Sequence, residues 1–169
     1  TCTKCHADPE RMKAYKATDG SPLPTDQRVK YEKSVHHAAM VERNDLSAPT
    51  CNDCHGNHGA APPGVGAVAN VCGTCHGVFA TKFALSSHGQ LFDRGCVECH
   101  SNHEIAKPSD AMLGTDKDSV CANCHSEGDN GHVAATRMRA EIEKLKTAID
   151  RSHALVVSAE NAGMEMGGQ

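Results

Sequence analysis

The sequence has few of the side chains from which a globular protein normally builds its core. It contains no Trp, three Phe and two Tyr, and 38% of its 169 residues are hydrophobic. A chain of this length normally buries about two-thirds of its unfolded surface around one apolar core. We therefore expect one domain, or one domain with an appendage, whose interior is filled by something other than its own side chains.

Long apolar segments are missing as well. The sequence has no run of about 18 apolar residues, which argues against a transmembrane segment, and it has no signal-peptide pattern at its start. The first cysteine already stands at position 2. We therefore expect that upstream residues, including a signal peptide, have been removed.

Cysteine and histidine are abundant, with ten and twelve copies. Every cysteine belongs to one of five motifs, CTKCH, CNDCH, CGTCH, CVECH and CANCH. C-x-x-C-H is the attachment signature of c-type haem, because one helical turn brings both sulfurs to the vinyl groups and the next residue places an imidazole under the iron. The sequence therefore predicts five covalently bound haem c groups, held by Cys2, Cys5, Cys51, Cys54, Cys72, Cys75, Cys96, Cys99, Cys121 and Cys124, with proximal ligands His6, His55, His76, His100 and His125.

Zinc sites, redox dithiols and a disulfide scaffold are the alternatives for paired cysteines. A zinc site does not require His at the same offset after every pair, and a disulfide scaffold rarely spaces every cysteine identically. With haem, the porphyrins supply the missing interior, so folding should depend on the cofactor. Because c-type haem is attached outside the cytoplasm, the motif also predicts a periplasmic or extracellular protein.

Seven further histidines are available as second axial ligands, which makes bis-histidine ligation of all five irons the simplest hypothesis. His58 and His103 each follow a proximal histidine by three residues and cannot easily reach round their own porphyrin, so each should bind the iron of a neighbouring haem. His36 and His88 follow a serine at a predicted helix start or turn, and both are predicted ligands. For the fifth iron we favour His132; the alternatives are His153, Met12, Met40 or a residue of another chain, and His37 is assigned to the surface.

The fold class expected is mainly α, with short helices and loops around the haems over residues 1–131 and almost no strand. Residues 28–43 are predicted as a helix carrying His36, and residues 59–71 and 104–120 as loops. From 132 to 161 an apolar stripe at heptad-like spacing predicts one long amphipathic helix, ended by Gly163 and supported by Glu141–Lys144 and Glu143–Lys146 pairs; the stripe is formed by Met138, Ile142, Leu145, Ile149 and Val156. We treat residues 132–169 as a separate segment.

Several stretches of the sequence resemble the cytochrome c3-like family of multihaem cytochromes c: SVHH, APTCNDCHGNHGAAPPGVGAVANVCGTCH, ECHSNHEIAKPSDAMLGT and AENAGMEMG. The resemblance covers nearly the whole chain and implies electron transport in bacterial respiration. Similar proteins usually have Gly after SVH, where this chain has His37, which supports His36 as the ligand. They often have an aromatic residue at the position of His132, so the resemblance does not support that ligand.

The function predicted is electron transfer along closely spaced low-spin haems, without catalysis. The alternatives are a multihaem reductase of the nitrite, hydroxylamine or tetrathionate type with one open iron, or a subunit of a cytochrome filament or larger complex. The polypeptide charge of −4 becomes about −9 with five ferric haems and about −14 on reduction, so nucleic acid is not expected as a partner. Expected partners are other cytochromes, a membrane quinol oxidoreductase, or copies of the same chain bound through the C-terminal helix.

Overall fold

The structure, a computed structural model, describes residues 2–17, 19–56 and 68–164. Within these ranges the chain forms helices, turns and loops, with no strand beyond an isolated bridge between Lys16 and Pro22. The α-helices are α1 Thr3–His6, α2 Pro9–Met12, α3 Gln27–Glu32, α4 Val35–Glu42, α5 Cys51–His55, α6 Val68–Gly73, α7 Gly77–Ala84, α8 Ser87–Leu91, α9 Val97–His100 and α10 Asn130–Asn161. Short 3-10 turns span Asp110–Met112 and Cys121–Asn123. The predicted fold class, mainly α with a long C-terminal helix, is confirmed.

The described residues bury almost no apolar side chains of their own. Their buried hydrophobic residues are Met12, Ala39 and Ala135, and the largest fully buried side chains are those of Ser34 and Ser119. Large apolar side chains such as Phe79, Leu85 and Leu91 are each more than 70% exposed in the polypeptide alone. The described residues therefore form a helical framework that leaves most of its large apolar side chains uncovered by the polypeptide itself.

Helix α10 begins two residues before its predicted start and ends at the predicted residue. Asp129 caps its N-terminus by accepting a hydrogen bond from the His132 N–H, at 2.7 Å. At the other end Gly163, with φ +79°, donates its N–H to the Glu160 carbonyl and turns the chain away. Asp129 and Gly163 therefore define the two ends of α10, which the apolar stripe alone predicts only approximately. No helix in the described ranges is long and apolar enough to cross a membrane.

The predicted helix over residues 28–43 is interrupted, and its two halves are α3 and α4. Ser34 lies between them in an extended conformation, φ −77° and ψ 157°. Its hydroxyl accepts a hydrogen bond from the His37 N–H at 3.1 Å, while its own N–H donates to the Tyr31 carbonyl at 2.8 Å. Serine competes well for backbone hydrogen bonds at a helix start, and here this local preference ends one helix and begins the next.

The predicted loop over residues 59–71 is only partly described. Residues 57–67 lie outside the described ranges, and residues 68–71 belong to α6 rather than to a loop. Residues 104–120 are largely irregular, as predicted, apart from the turn at Asp110–Met112.

Two compact units are present, Thr1–Lys107 and Pro108–Gln169. In the second, α10 is attached to the 110 loop through Lys146 Nζ, which lies 2.7 Å from Asp110 Oδ2, and through Arg139, which donates to the Asp110 carbonyl. The predicted Glu141–Lys144 pair is present at 3.6 Å. The predicted Glu143–Lys146 ion pair is not formed, because Lys146 binds Asp110 and Glu143 binds Arg139 at 2.9 Å. The division at residue 131 stays a prediction.

Candidate functional site

Each of the five C-x-x-C-H motifs forms a single helical turn. In four of them the histidine N–H donates to the carbonyl of the first cysteine, at 2.8–3.0 Å, and in the remaining one the whole motif is helix α5. The two cysteines and the histidine are therefore carried by one rigid backbone unit in every motif. All ten cysteines are free thiols, so the disulfide alternative is not realised in this structure.

Two proximal histidines each face a second imidazole from a distant part of the chain. The ring centres of His36 and His76 are 6.2 Å apart, with an angle of 28° between their planes. The ring centres of His55 and His103 are 5.9 Å apart, with an angle of 14°. In each pair, the histidine of a C-x-x-C-H motif lies beside a histidine that the sequence predicts as a distal ligand.

These separations fit an iron between the rings. Imidazole nitrogen binds a metal at about 2 Å, and the ring centre lies about 1.1 Å beyond that nitrogen. The ring centres of two imidazoles that bind one metal from opposite sides are therefore about 6 Å apart. Burial, and then the neighbouring His76, lowers the pKa of His36; burial, and then His55, lowers the pKa of His103. A lowered pKa favours the neutral imidazole, which is the form that binds a metal. The residues present therefore fit the predicted haem.

One backbone contact joins the segments that carry the two distal histidines. The Val35 N–H donates to the Ile105 carbonyl at 2.8 Å, one residue before His36 and two residues after His103. Lys33 and Glu104 flank this contact with their charged groups 3.6 Å apart. His36 and His103, the partners of His76 and His55, are therefore carried by two segments that are hydrogen-bonded to each other.

The residue after the proximal histidine adopts an unusual conformation in two motifs. Gly56 has φ +75° and ψ −168°, and Ser101 has φ +64° and ψ 177°. These are the motifs that continue as CHGNH and CHSNH, with a further histidine three residues on; Ala7, after the first motif, has φ −100°. The turn at Ser101 leads the chain away from α9 and towards the position at which His103 meets His55.

Cysteines of different motifs also lie close together. Burial, and then the neighbouring Cys96 thiol, raises the pKa of Cys72 to about 11. Burial raises the pKa of Cys54, as do Asp53, Cys51 and Cys75. In the haem-loaded protein these sulfurs would be thioethers, so their proximity is the property that carries over. The attachment points of the second, third and fourth motifs are therefore neighbours.

The positions of the other predicted ligands say less about haem binding. The ring centres of His88 and Phe92 are 5.4 Å apart. His88 follows Ser86 by two residues, and the Ser86 hydroxyl caps α8 by accepting a hydrogen bond from the Gly89 N–H. The His132 side chain lines an open depression on α10, and His153 is exposed on the same helix. Met12 is buried and Met40 half-buried. The ring centres of His37 and Tyr31 are 5.5 Å apart in a T-shaped arrangement, and His58 lies outside the described residues.

Sequence reasoning missed Asp129. Its Oδ1 lies 3.1 Å from Nδ1 of the proximal His125, and the same carboxylate accepts hydrogen bonds from the N–H groups of Ser126 and His132, both at 2.7 Å. These backbone hydrogen bonds lower the pKa of Asp129, and His125 contributes in the same direction. The available signal was an acidic residue directly before a predicted helix and four residues after a proximal histidine.

The zinc alternative has no assembled ligand set in the part of the chain that the structure describes. No group of three or more His, Cys, Asp or Glu side chains there could hold a metal ion, whereas structural zinc sites use four such ligands. An axial pair of imidazoles across a haem needs only two protein ligands on the metal. The observed pairs therefore suit haem iron.

Comparison with known proteins gives one match. The family model described as a doubled CXXCH motif matches residues 88–130, which include the fourth and fifth motifs together with His88 and His103. No curated protein and no solved structure matches the chain. The match covers a minority of the residues, and it supports a multihaem c-type cytochrome with covalently bound haem.

Proposed function

We propose that the protein is an electron-transfer cytochrome of the c3-like kind, with five haem c groups whose irons are all closed by two histidines. The observation that carries this proposal is the pair of facing imidazoles, His36 with His76 and His55 with His103, at separations of 6.2 and 5.9 Å. A simple attachment motif does not require a second imidazole opposite the first. Two such pairs in one chain favour closed irons, which exchange electrons without binding a substrate.

In this scheme the haem supplies reversible one-electron chemistry, and the polypeptide supplies ligation, spacing and burial. His76 and His55 would ligate two haem irons from their attachment motifs, and His36 and His103 would supply the second imidazole to the same irons and so exclude external ligands. His88, His58 and His132 are proposed for the remaining irons. The proximity of Cys54, Cys72, Cys75 and Cys96 favours short distances between the second, third and fourth haems.

A reductase would need one iron with an open face. All five motifs end in His, none in the Lys that the pentahaem nitrite reductases use as proximal ligand, and spare histidines outnumber the irons. At two of the irons the paired imidazoles would leave no open side. We therefore favour electron transport over catalysis.

The proposed setting is bacterial respiration outside the cytoplasm. With a charge of about −9 in the ferric state, the protein would attract a redox partner with a basic surface, such as another cytochrome or a membrane quinol oxidoreductase. The apolar stripe on α10, where Met138, Leu145 and Ile149 are more than half exposed, is the proposed contact for self-association or a larger assembly.

The test is His103→Ala in the haem-loaded protein. The wild type should carry five covalent haems, all low-spin when oxidised, and should not bind carbon monoxide when reduced. The variant should keep five haems, acquire one high-spin signal and bind one carbon monoxide, because the iron held by His55 loses its second ligand.

His37→Ala is the matched control, since His37 is a neighbour of His36 on α4 but packs against Tyr31. It should leave every haem low-spin. A wild type with a carbon monoxide-binding iron would favour the reductase instead. A low-spin spectrum in His103→Ala with unchanged potentials would remove His103 from the ligand set.

A further inference from the structure

The proximal histidine of the fifth motif has a carboxylate partner. His125 Nδ1 and Asp129 Oδ1 are 3.1 Å apart, and the two side chains are 30% and 41% exposed. Since a carboxylate only accepts hydrogen bonds at neutral pH, the proton of the pair lies on Nδ1. In the neutral tautomer that makes this hydrogen bond, Nε2 is the acceptor nitrogen, and it is the nitrogen through which a proximal histidine would bind a metal.

The first turn of α10 fixes this arrangement from two sides. Asp129 is held in place by the backbone N–H groups of Ser126 and His132, which it caps. Gly131 lies so close to the His125 ring that a β-carbon at this position would overlap with it. The helix start therefore leaves room for the imidazole and presents the carboxylate to its Nδ1 edge.

His125 differs in this respect from the other proximal histidines. His55 and His76 face a second imidazole, and among the described residues His125 is the proximal histidine whose ring is hydrogen-bonded to a carboxylate. Such an outer partner raises the basicity of a metal ligand and tunes the metal that it holds. A more basic axial ligand and a nearby negative charge both stabilise ferric over ferrous iron.

We propose that Asp129 is a positioning residue that lowers the reduction potential of the haem attached through Cys121 and Cys124. The inference rests on the proposed function, since it assumes that His125 ligates haem iron. The five similar motifs do not suggest this difference between the haems. The reduction potential of the haem in the second compact unit would be lowered by a carboxylate at the start of α10.

The test is Asp129→Asn in the haem-loaded protein. Asparagine is as good a helix cap as aspartate, so α10 should be retained while the charge on the His125 partner is lost. A redox titration should show one of the five potentials rising. The preference of that haem for the ferric state should fall by about tenfold, which is about 59 mV for a one-electron couple.

Asp8→Asn is the matched control. Asp8 caps α2 two residues after the proximal His6, but its oxygens accept from the N–H groups of Glu10 and Arg11 rather than from an imidazole. Its replacement should move the potentials clearly less than Asp129→Asn does. Asp129→Ser, which also keeps a capping oxygen and removes the carboxylate, should reproduce the shift.

Unchanged potentials in a five-haem, low-spin Asp129→Asn protein would overturn this inference and leave the proposed function intact. Loss of the low-spin spectrum in the wild type would instead overturn the function. If neither variant keeps its fifth haem, the reduced wild type decides: one axial imidazole Nδ1 proton should resonate well downfield of the others, as expected for a hydrogen bond to a carboxylate. Its absence would count against Asp129.

Discussion

Ser101 occupies a backbone conformation that suits glycine better than serine. Its φ of +64° and ψ of 177° fall in a region that non-glycine residues adopt at a cost of about 1–3 kcal/mol. Gly56 takes up the same conformation at the equivalent position of the second motif. Ser101→Gly should therefore raise the free energy of unfolding by roughly 1 kcal/mol, after the extra chain entropy of glycine is subtracted. Denaturant unfolding of the haem-loaded protein measures this.

Ser109→Gly is the control for that substitution. Ser109 is also exposed, but its φ of −141° and ψ of 160° are ordinary extended values. Glycine there relieves no strain and only adds freedom to the unfolded chain. The control should therefore leave stability unchanged or lower it. A Ser101→Gly protein less stable than the wild type would show that the turn after His100 is not strained.

The sequence predicted His36 and His103 as distal ligands but not which rings they would lie beside, and their ligation stays a prediction. The spacing of three residues predicts that His103 cannot serve its own haem, and this is a statement about local chain length. In the structure it meets His55, about fifty residues earlier in the chain, and no local pattern encodes that contact. Asp129 was missed for a related reason: its role as a helix cap is readable, whereas its contact with His125 depends on how the intervening loop closes.

Helix α4 depends on a buried cap. Ser34 is 1% exposed, and its hydroxyl accepts from the His37 N–H. Ser34→Ala removes that acceptor and leaves the His37 N–H without a hydrogen-bond partner in a place that water reaches poorly. We expect a loss of about 1–2 kcal/mol in the free energy of unfolding, measured by denaturant unfolding followed through helical circular dichroism.

Ser152→Ala provides the comparison, because Ser152 is exposed within α10 and donates to the Ala148 carbonyl. Alanine is the better helix former at such a position, so stability should change by less than about 0.5 kcal/mol. Equal effects of the two substitutions would mean that the Ser34 hydroxyl does not stabilise the start of α4.

The long helix and the short ones differ in how far the sequence predicts them. In α10 the apolar stripe and the Gly163 stop indicate one helix, and the structure confirms it, with the bounds Asn130–Asn161. Residues 28–43 are predicted as one helix, yet Ser34 divides them into α3 and α4. A serine is compatible with both the interior and the start of a helix, so its hydrogen-bond partners decide, and those are visible only in the fold.

At the level of the whole chain, composition predicted the main property of the structure. The scarcity of aromatic residues implied that side chains alone would not fill the interior, and the described residues indeed bury few apolar groups, Met12, Ala39 and Ala135. The exposed Phe79 lies three residues after His76, and the exposed Leu91 lies three residues after His88. Among the described residues, polypeptide packing therefore buries little apolar surface, and we expect bound haem to supply most of the apolar contact.

The chain made without haem should accordingly fail to fold. Each buried apolar methylene contributes about 0.8 kcal/mol, and with so few buried, the entropy of ordering the backbone, about 1–2 kcal/mol per residue, is not offset. We expect the haem-free protein to show no cooperative thermal transition by circular dichroism, with residual helicity confined to α10, whose length and ion pairs favour a partly stable helix. The haem-loaded protein, measured in the same buffer, should unfold cooperatively. A haem-free chain with near-native helicity and a sharp transition would contradict a haem-built core, because it would require an apolar interior that the described side chains do not form.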